Sequence, residues 1–472
     1  MAYPAEGGRR RRRGETVRAA LWTAGAVLLP GIAHLRAGRR VTGAGILGCF
    51  LLSAAAAVAA VRTLHDDLAW QAWMVTQPYW VEAASAVAIA LTLLWLGVVV
   101  RSWQLTRPRP AGRETRVAGT VLLIVLCAAI VLPSVLVVRT AVTARATLSE
   151  VFAPAEAAPR DTQEEVDPWQ GRTRINVLLL GGDAGHNRYG MRTDTMIAAS
   201  IEIDSGDTVL IGLPRNLENV PFPEGTELAE RYPPPGGFDD LLNQVYQTVA
   251  EAPEELAIDP EAADPAADTL KRVIGEAIGL PIDYYALVDL RGFADLIDAI
   301  GGVVVPIEDP IRYGRRGEGL LESGERRISG QEALWYGRSR LGSDDYTRMG
   351  RQGCLLKYVA EQAEPMTVLR SFEELADAAQ RTLDSDVPQS RLPALVDLAE
   401  QVSDARMRTL QLSPPQVTTA NPDWARIREL VDEAIRDVDD GDTADSDRPE
   451  PSPDSPGRQV GEEPVSLDRL CP

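Results

Sequence analysis

Between positions 183 and 352 the chain sets arginine and carboxylate side chains at the ends of apolar runs, where turns more often carry glycine, serine or asparagine. Asp183 follows the run INVLLLG (175–181) in the stretch GGDAG. Arg192 and Asp194 stand in MRTDT and point to one side if that segment is extended. Arg215 and Asn216 close the next β-rich run in LPRN. The densest group is YGRSRLGSDDYTRMGRQ, residues 336–352. Arg338 and Arg340 alternate there, so an extended backbone aims both guanidiniums one way. Ser343, Asp344 and Asp345 carry a helix-start signature, and Arg348, Arg351 and Gln352 follow at helical spacings within the first two turns. A helix N-terminus favours an anion through its unpaired N–H groups and its dipole. Guanidiniums grip phosphate oxygens bidentately, and a pair of carboxylates can hold Mg²⁺ against substrate phosphates. That is the apparatus of phosphoryl transfer. Taken one at a time, the same residues are also what a turn, a surface ion pair or a solvated helix face would use.

The elements that must position these groups are legible in the pattern. INVLLLG is a near-continuous apolar run of the kind a buried central strand shows. MIAASIEI and DTVLIGL flank Asp204-Ser205-Gly206-Asp207 and form a hairpin. Helical patterns lie at 239–250, 268–279, 291–300, 330–337, 346–364 and 421–435, with β-like runs at 284–290 and 302–307. Mixed strands with helices on both faces predict an α/β/α sandwich. Residues 252–267 are expected to be an acidic surface insertion. Residues 438–472, acidic and rich in proline and serine, are expected to form a disordered tail.

Charge is divided unevenly along the chain. Residues 1–150 hold 17 Arg against 7 acidic side chains, a balance of +10 within a net charge of -20, so the remainder stands at -30. An acidic second half excludes general nucleic-acid binding, which needs a basic footprint. Against that background the arginines of 336–352 go against the prevailing sign. His34, His65 and His186 show no metal-ligand spacing, and four cysteines are too few for a disulfide scaffold or a zinc cluster. Cys49 and Cys127 sit in apolar runs, whereas Cys354 and Cys471 could meet an oxidising compartment.

Three uncharged runs, 41–61, 83–100 and 117–138, are long enough to span a bilayer. A weaker run at 19–33 is broken by Pro30-Gly31 and has arginines on both sides, so it is expected to be re-entrant or interfacial rather than a crossing. Residues 1–18 then form a basic cytoplasmic tail. Loop 62–82, with Trp70, Trp73, Tyr79 and Trp80, suits an outer interface; Arg101, Arg107, Arg109, Arg113 and Arg116 mark the following loop as inside. Three spans place everything after about residue 139 outside the cell: a linker at 139–172 and then a domain at 173–437. Four spans and a cytoplasmic domain are the alternative.

Seven blocks in order over 174–352 carry a resemblance: NVLLLGGD, RTDTM, LPRN, LLNQVY, PIDYYALVDLRGFADLIDAIGGV, ISGQEALWYGRSR and DDYTRMGRQ. The stretch resembles the LytR-CpsA-Psr (LCP) domain of bacterial cell-envelope proteins, in a multi-span version of actinobacterial type. The resemblance implies a membrane-anchored phosphotransferase of the plasma membrane with its catalytic domain outside. Such enzymes are taken to move an anionic glycopolymer from a polyprenyl-pyrophosphate carrier to peptidoglycan, with Mg²⁺ or Mn²⁺. It implies an apolar pocket for the prenyl chain, Asp183 and Asp194 as metal-side carboxylates, and phosphate contacts from Arg192, Arg215, Arg338, Arg340 and Arg348. Asn243, Asp345, Arg351 and Gln352 would complete the site, with Asp194 or Asp345 as base. Two positions depart from the family pattern: Asn216 stands where aspartate is common, and Leu241-Leu242 where a lysine often precedes the asparagine. Both bear on metal affinity or substrate choice more than on fold. Cys354 and Cys471 are expected to form a disulfide. A polyprenyl-pyrophosphate hydrolase and a non-catalytic envelope binder or sensor, its basic tail on anionic lipid, are the other readings.

Overall fold

The computed structural model describes residues 6–65, 78–107, 112–152, 168–183, 191–314, 316–342, 345–362, 371–439 and 465–471. Most of the aromatic loop 62–82, residues 153–167 of the linker, Ser343, Asp344 and residues 440–464 lie outside the described residues. The chain divides into two compact units, Met1–Ala146 and Thr147–Pro472.

The first unit is helical: α1 (Glu6–Leu28), α2 (Ile32–Arg36), α3 (Arg40–His65), α4 (Pro78–Thr106) and α5 (Arg113–Val151). The basic tail and the start of the weak apolar run are one helix, not two segments, because nothing between them breaks helical φ/ψ until Pro30-Gly31. Gly31 has φ 100°, and a Cβ there would sit 2.5 Å from the Gly43 carbonyl oxygen, so only glycine allows this corner. The stretches Glu82–Thr106 and Thr115–Val151 are long and apolar enough to cross a membrane. Arg40–Ala56 is apolar but shorter over its described part. α5 continues to Val151 and so takes up the first part of the expected linker.

The second unit is built on a seven-stranded mixed sheet of order β11-β10-β3-β2-β1-β4-β9. Its strands are β1 (Arg174–Asp183), β2 (Arg192–Glu202), β3 (Thr208–Gly212), β4 (Tyr284–Asp289), β9 (Leu383–Ser385), β10 (Met407–Gln411) and β11 (Val465–Ser466); β5 (Val303–Ile307) pairs with β8 (Gly324–Ile328), and β6 (Ile311–Tyr313) with β7 (Gly319–Leu321). β1 runs parallel to β4 and β3 parallel to β10; the other neighbours are antiparallel. The longer helices are α6 (Val245–Glu251), α7 (Pro265–Ile278), α8 (Leu290–Ala299), α9 (Gly330–Arg338), α10 (Asp345–Gln362), α11 (Phe372–Thr382), α12 (Leu392–Asp404) and α13 (Trp424–Asp439).

Alternation along the strands makes three layers. Met196 and Ala198 of β2, with Val209 and Ile211 of β3, join a core that includes Ile274, Ile278 and Val431 of α7 and α13. The intervening Ile197, Ala199 and Leu210 face Tyr336, Leu355 and Tyr358 of α9 and α10 instead. The helices begin where short side chains can cap them. Asp264 accepts from the N–H groups of Ala266 and Ala267 ahead of Pro265, and Ser329 and Glu332 form a reciprocal capping box at α9.

Three expectations are corrected here. β1 runs through Asp183 rather than ending before it, because a bulge lets the strand continue past its glycines. The acidic stretch 252–267 is not a simple surface insertion: Leu256, Ala266 and Ala267 are buried in the core, and its last residues open α7. The chain terminus is not all tail. Val465 and Ser466 add a strand beside β10, Leu467 is fully buried, and Cys471 is joined to Cys354 of α10 by a disulfide. Segment 365–420, to which the sequence pattern assigns no element, supplies β9, β10, α11 and α12.

Candidate active site

Asp194 owes its position to an irregularity in the sheet. Gly181 pairs with Thr195 and Gly182 with Thr193, so Asp194 is the extra residue of a β-bulge. Glycine is needed opposite it: a Cβ on Gly181 would lie 2.9 Å from Thr195 Cβ. The displaced Asp194 carbonyl accepts from Arg348 Nη1 at 3.2 Å. The Asp194 carboxylate accepts from Arg215 Nη1 at 2.6 Å and from Asn243 Nδ2 at 3.4 Å. Arg215 and Asn243 are themselves tied together, since the Asn243 N–H donates to the Arg215 carbonyl at 3.1 Å. Two loops and a bulge therefore converge on one carboxylate. Asn243 is buried, and among the described residues its Oδ1 has no hydrogen-bond partner.

The arginines arrive from the other side. Arg338 ends α9, Ser339 turns the chain to extended φ/ψ, and Arg340 follows; the pair is not on one strand, since Arg338 is still helical. Arg348 lies in the first turn of α10 and is 3% exposed. Arg338, Arg340 and Arg348 line one cavity of about 300 Å³ with Asp194. Among the described residues that line it, three guanidiniums stand with one carboxylate beside a helix N-terminus, an arrangement that favours an anion. Its remaining wall is apolar: Leu290, Trp335 and Leu341. A narrow crevice of about 10 Å³ opens from the same place between β2, β3 and α10. Its lining of Met196, Ile197, Leu210, Leu213 and Met349 is buried and apolar, and Asp194, Thr195 and Arg348 border both spaces.

Other residues singled out from sequence sit elsewhere. Arg351 does not line the cavity. Its guanidinium donates to the Ser339 carbonyl and lies 6.0 Å from the Tyr336 ring centre, where burial lowers its pKa and pushes Tyr336 up to about 12. Gln352 Nε2 donates to Thr195 Oγ1 at 3.0 Å and to the Gly337 carbonyl at 3.1 Å, tying β2 to α9. These two residues fix the Arg338–Arg340 segment from behind. Asn216 is exposed and turned away, its Nδ2 donating to Thr419 Oγ1 at 3.2 Å. Arg192 is exposed at the start of β2, outside the cavity lining, with Asp183 as its partner across the ladder. Asp345 begins α10; the side chains of Asp183 and Asp345 lie outside the described residues. Sequence reasoning missed Trp335, although it stands three residues before Arg338 on one helix and so shares its face.

A mixed α/β/α domain that gathers arginines around a carboxylate at the mouths of its strands is the frame of an anion-binding protein. The chain belongs to the LytR_cpsA_psr family, whose model matches residues 142–432. It is similar to "Polyisoprenyl-teichoic acid--peptidoglycan teichoic acid transferase TagU" of Halalkalibacterium halodurans, 24% identical over 245 residues, covering 51% of this chain and 70% of that protein. The Bacillus cereus protein of the same name is 23% identical over 248 residues, covering 52% and 71%. The crystal structure of B. subtilis TagV is 20% identical and covers 57% of this chain and 98% of that one, with a TM-score of 0.41.

Proposed function

We propose that this protein is a membrane-anchored phosphotransferase that moves an anionic glycopolymer from a polyprenyl-pyrophosphate carrier to peptidoglycan. The observation that carries the reading is one cavity shared by Arg338, Arg340, Arg348 and Asp194, open to solvent on one side. The relatives carry the name polyisoprenyl-teichoic acid--peptidoglycan teichoic acid transferase. The pyrophosphate sits against the three arginines, and the glycan leaves by the open side of the cavity. An acceptor hydroxyl of peptidoglycan attacks the sugar-bearing phosphorus. The bond from that phosphorus to the bridging oxygen breaks, and polyprenyl monophosphate departs with the electron pair. Arg338, Arg340 and Arg348 are placed to take up its charge, an electrostatic contribution of about 10²–10³ in rate per donor. The hydroxyl proton passes to a carboxylate, Asp194 or Asp345.

Among the described residues no three His, Cys, Asp or Glu side chains gather as a metal cage. Mg²⁺ needs only one or two protein carboxylates when phosphates supply the remaining oxygens. Asp194, the buried Asn243 Oδ1 beside it and Asp183 at the end of β1 would hold Mg²⁺ or Mn²⁺, which neutralises phosphate charge when bound. The arginine bias of the N-terminal loops supports three crossings with the catalytic unit outside.

The full chain in nanodiscs, incubated with a polyprenyl-pyrophosphate-linked glycan, Mg²⁺ and peptidoglycan, should yield glycan-phosphate joined to muropeptides by mass spectrometry. Free glycan phosphate formed without peptidoglycan would make it a hydrolase, and unchanged lipid would make it a binder.

A further inference from the structure

The two spaces that meet at Asp194, Thr195 and Arg348 differ in one respect that decides what each can take. The crevice is closed in by buried side chains, whereas the larger cavity reaches solvent past Arg340, which is exposed, and Leu341, which is 46% exposed. A polymer many sugars long can leave only by the open side. The open side is also where the cavity changes chemistry, from guanidiniums to the Trp335 ring flanked by Leu290 and Leu341. Trp335 is held there from behind, because the Tyr313 ring of β6 stacks on it at 5.8 Å between centres and 26° between planes, while Tyr313 itself does not line the cavity. A half-buried indole braced in this way is a flat, rigid, apolar surface next to an anion site, of the mixed kind that orients bound ligands.

We infer that Trp335 is the platform on which the first sugar of the donor glycan packs, and hence a specificity-determining residue for the sugar attached to the pyrophosphate. The inference rests on the transferase reading and deepens it. A pyranose has an apolar face of C–H bonds rimmed by hydroxyls, and that face matches the indole, while the hydroxyls remain towards solvent and the neighbouring arginines. Because Trp335 and Arg338 are one helical turn apart on α9, the sugar and its phosphate are read by a single rigid element.

The test compares two soluble probes on the full chain in nanodiscs by calorimetric titration: farnesyl pyrophosphate, and farnesyl pyrophosphate esterified with N-acetylglucosamine. Trp335→Leu, which keeps an apolar side chain but removes the flat face, should weaken the sugar-bearing probe about tenfold and leave the bare probe within about twofold. Trp335→Phe should recover most of the lost affinity. Equal weakening of both probes would make Trp335 a packing residue for the β6–β7 hairpin, and no weakening of either would remove it from the site; each overturns the inference while the transferase reading stands. Wild-type chain that binds neither probe would overturn the transferase reading and this subsite with it.

Discussion

The clearest division at the level of single residues is between arginines that face the cavity and those that build its wall. Arg338, Arg340 and Arg348 share the cavity, while Arg351 spends its guanidinium on the Ser339 carbonyl and the Tyr336 ring. Loss of a cavity arginine should therefore remove rate without removing structure. Arg338→Ala is expected to lower transfer by about 10²–10³ while thermal unfolding stays close to wild type, because the side chain is only partly buried. Turnover of the variant in the nanodisc assay at the wild-type rate would take Arg338 out of the site. Asn216 shows the opposite case. A residue that closes a β-strand at the right distance along the chain donates to Thr419 and does not line the arginine cavity.

Elements set these side chains by their ends and irregularities. The β1–β2 bulge presents the Asp194 carboxylate to Arg215 and Asn243 while handing its carbonyl to Arg348. α10 carries Arg348, Arg351 and Gln352 in its first turns and, directly after them, Cys354. The disulfide to Cys471 makes the last residues of the chain part of this helix's support, together with buried Leu467. The bridge closes a loop of 117 residues, so it restricts the unfolded chain strongly. Cys471→Ser should cost about 2–5 kcal/mol of stability, read as a lower unfolding temperature, with reductant acting on the wild type to the same extent and not on the variant. An unfolding temperature that neither change moves would show that the terminal strand is held without it.

Charge at the scale of the whole molecule has consequences for both units. On the far edge of the sheet Asp384 and Asp386 sit near Asp264 and Asp268, with Lys271 Nζ bound to Asp386 at 2.5 Å and to Asp268 at 3.1 Å. Burial, and then the neighbouring Asp264 charge, raise the pKa of Asp384; burial also raises that of Asp386. A carboxylate whose folded pKa is raised costs stability above that pKa, where it is ionised in both states but poorly solvated in one. The cost is relieved as pH falls through the folded pKa and is gone below the unfolded value. Asp384→Asn should therefore raise the unfolding temperature at neutral pH, with the gain shrinking as pH falls towards about 4. A gain that is the same at both pH values would assign it to packing. The basic bias of the first unit has its own test. In cells whose only free cysteine is the introduced one, an impermeant maleimide should label Glu224→Cys directly and Arg107→Cys only after permeabilisation. The reverse pattern would place the second unit in the cytoplasm.

What the sequence determined by itself was whatever depends on neighbours along the chain. A near-continuous apolar run located the 175–181 strand, a turn signal between β-rich runs located the hairpin around Ser205-Gly206, and a capping signature marked the start of α10. Contiguous apolar length located the helices at 82–106 and 115–151. Three- and four-residue spacings picked out Arg348 and Gln352 as one helical face, and ordered motifs were enough to indicate the family. Tertiary structure decided what depends on residues far apart in the chain. The bulge that makes Asp194 the focus of the site needs β1 against β2, and the burial that diverts Arg351 needs α9 against α10. The terminal strand is legible only once β10 is there to pair with it, since two residues have no β-pattern of their own. Trp335 becomes a wall only when Tyr313 comes up behind it from β6. Local pattern records which face of an element is apolar; which charged groups end up around a common space is set by the packing of those faces against one another, and no single stretch of chain contains that information.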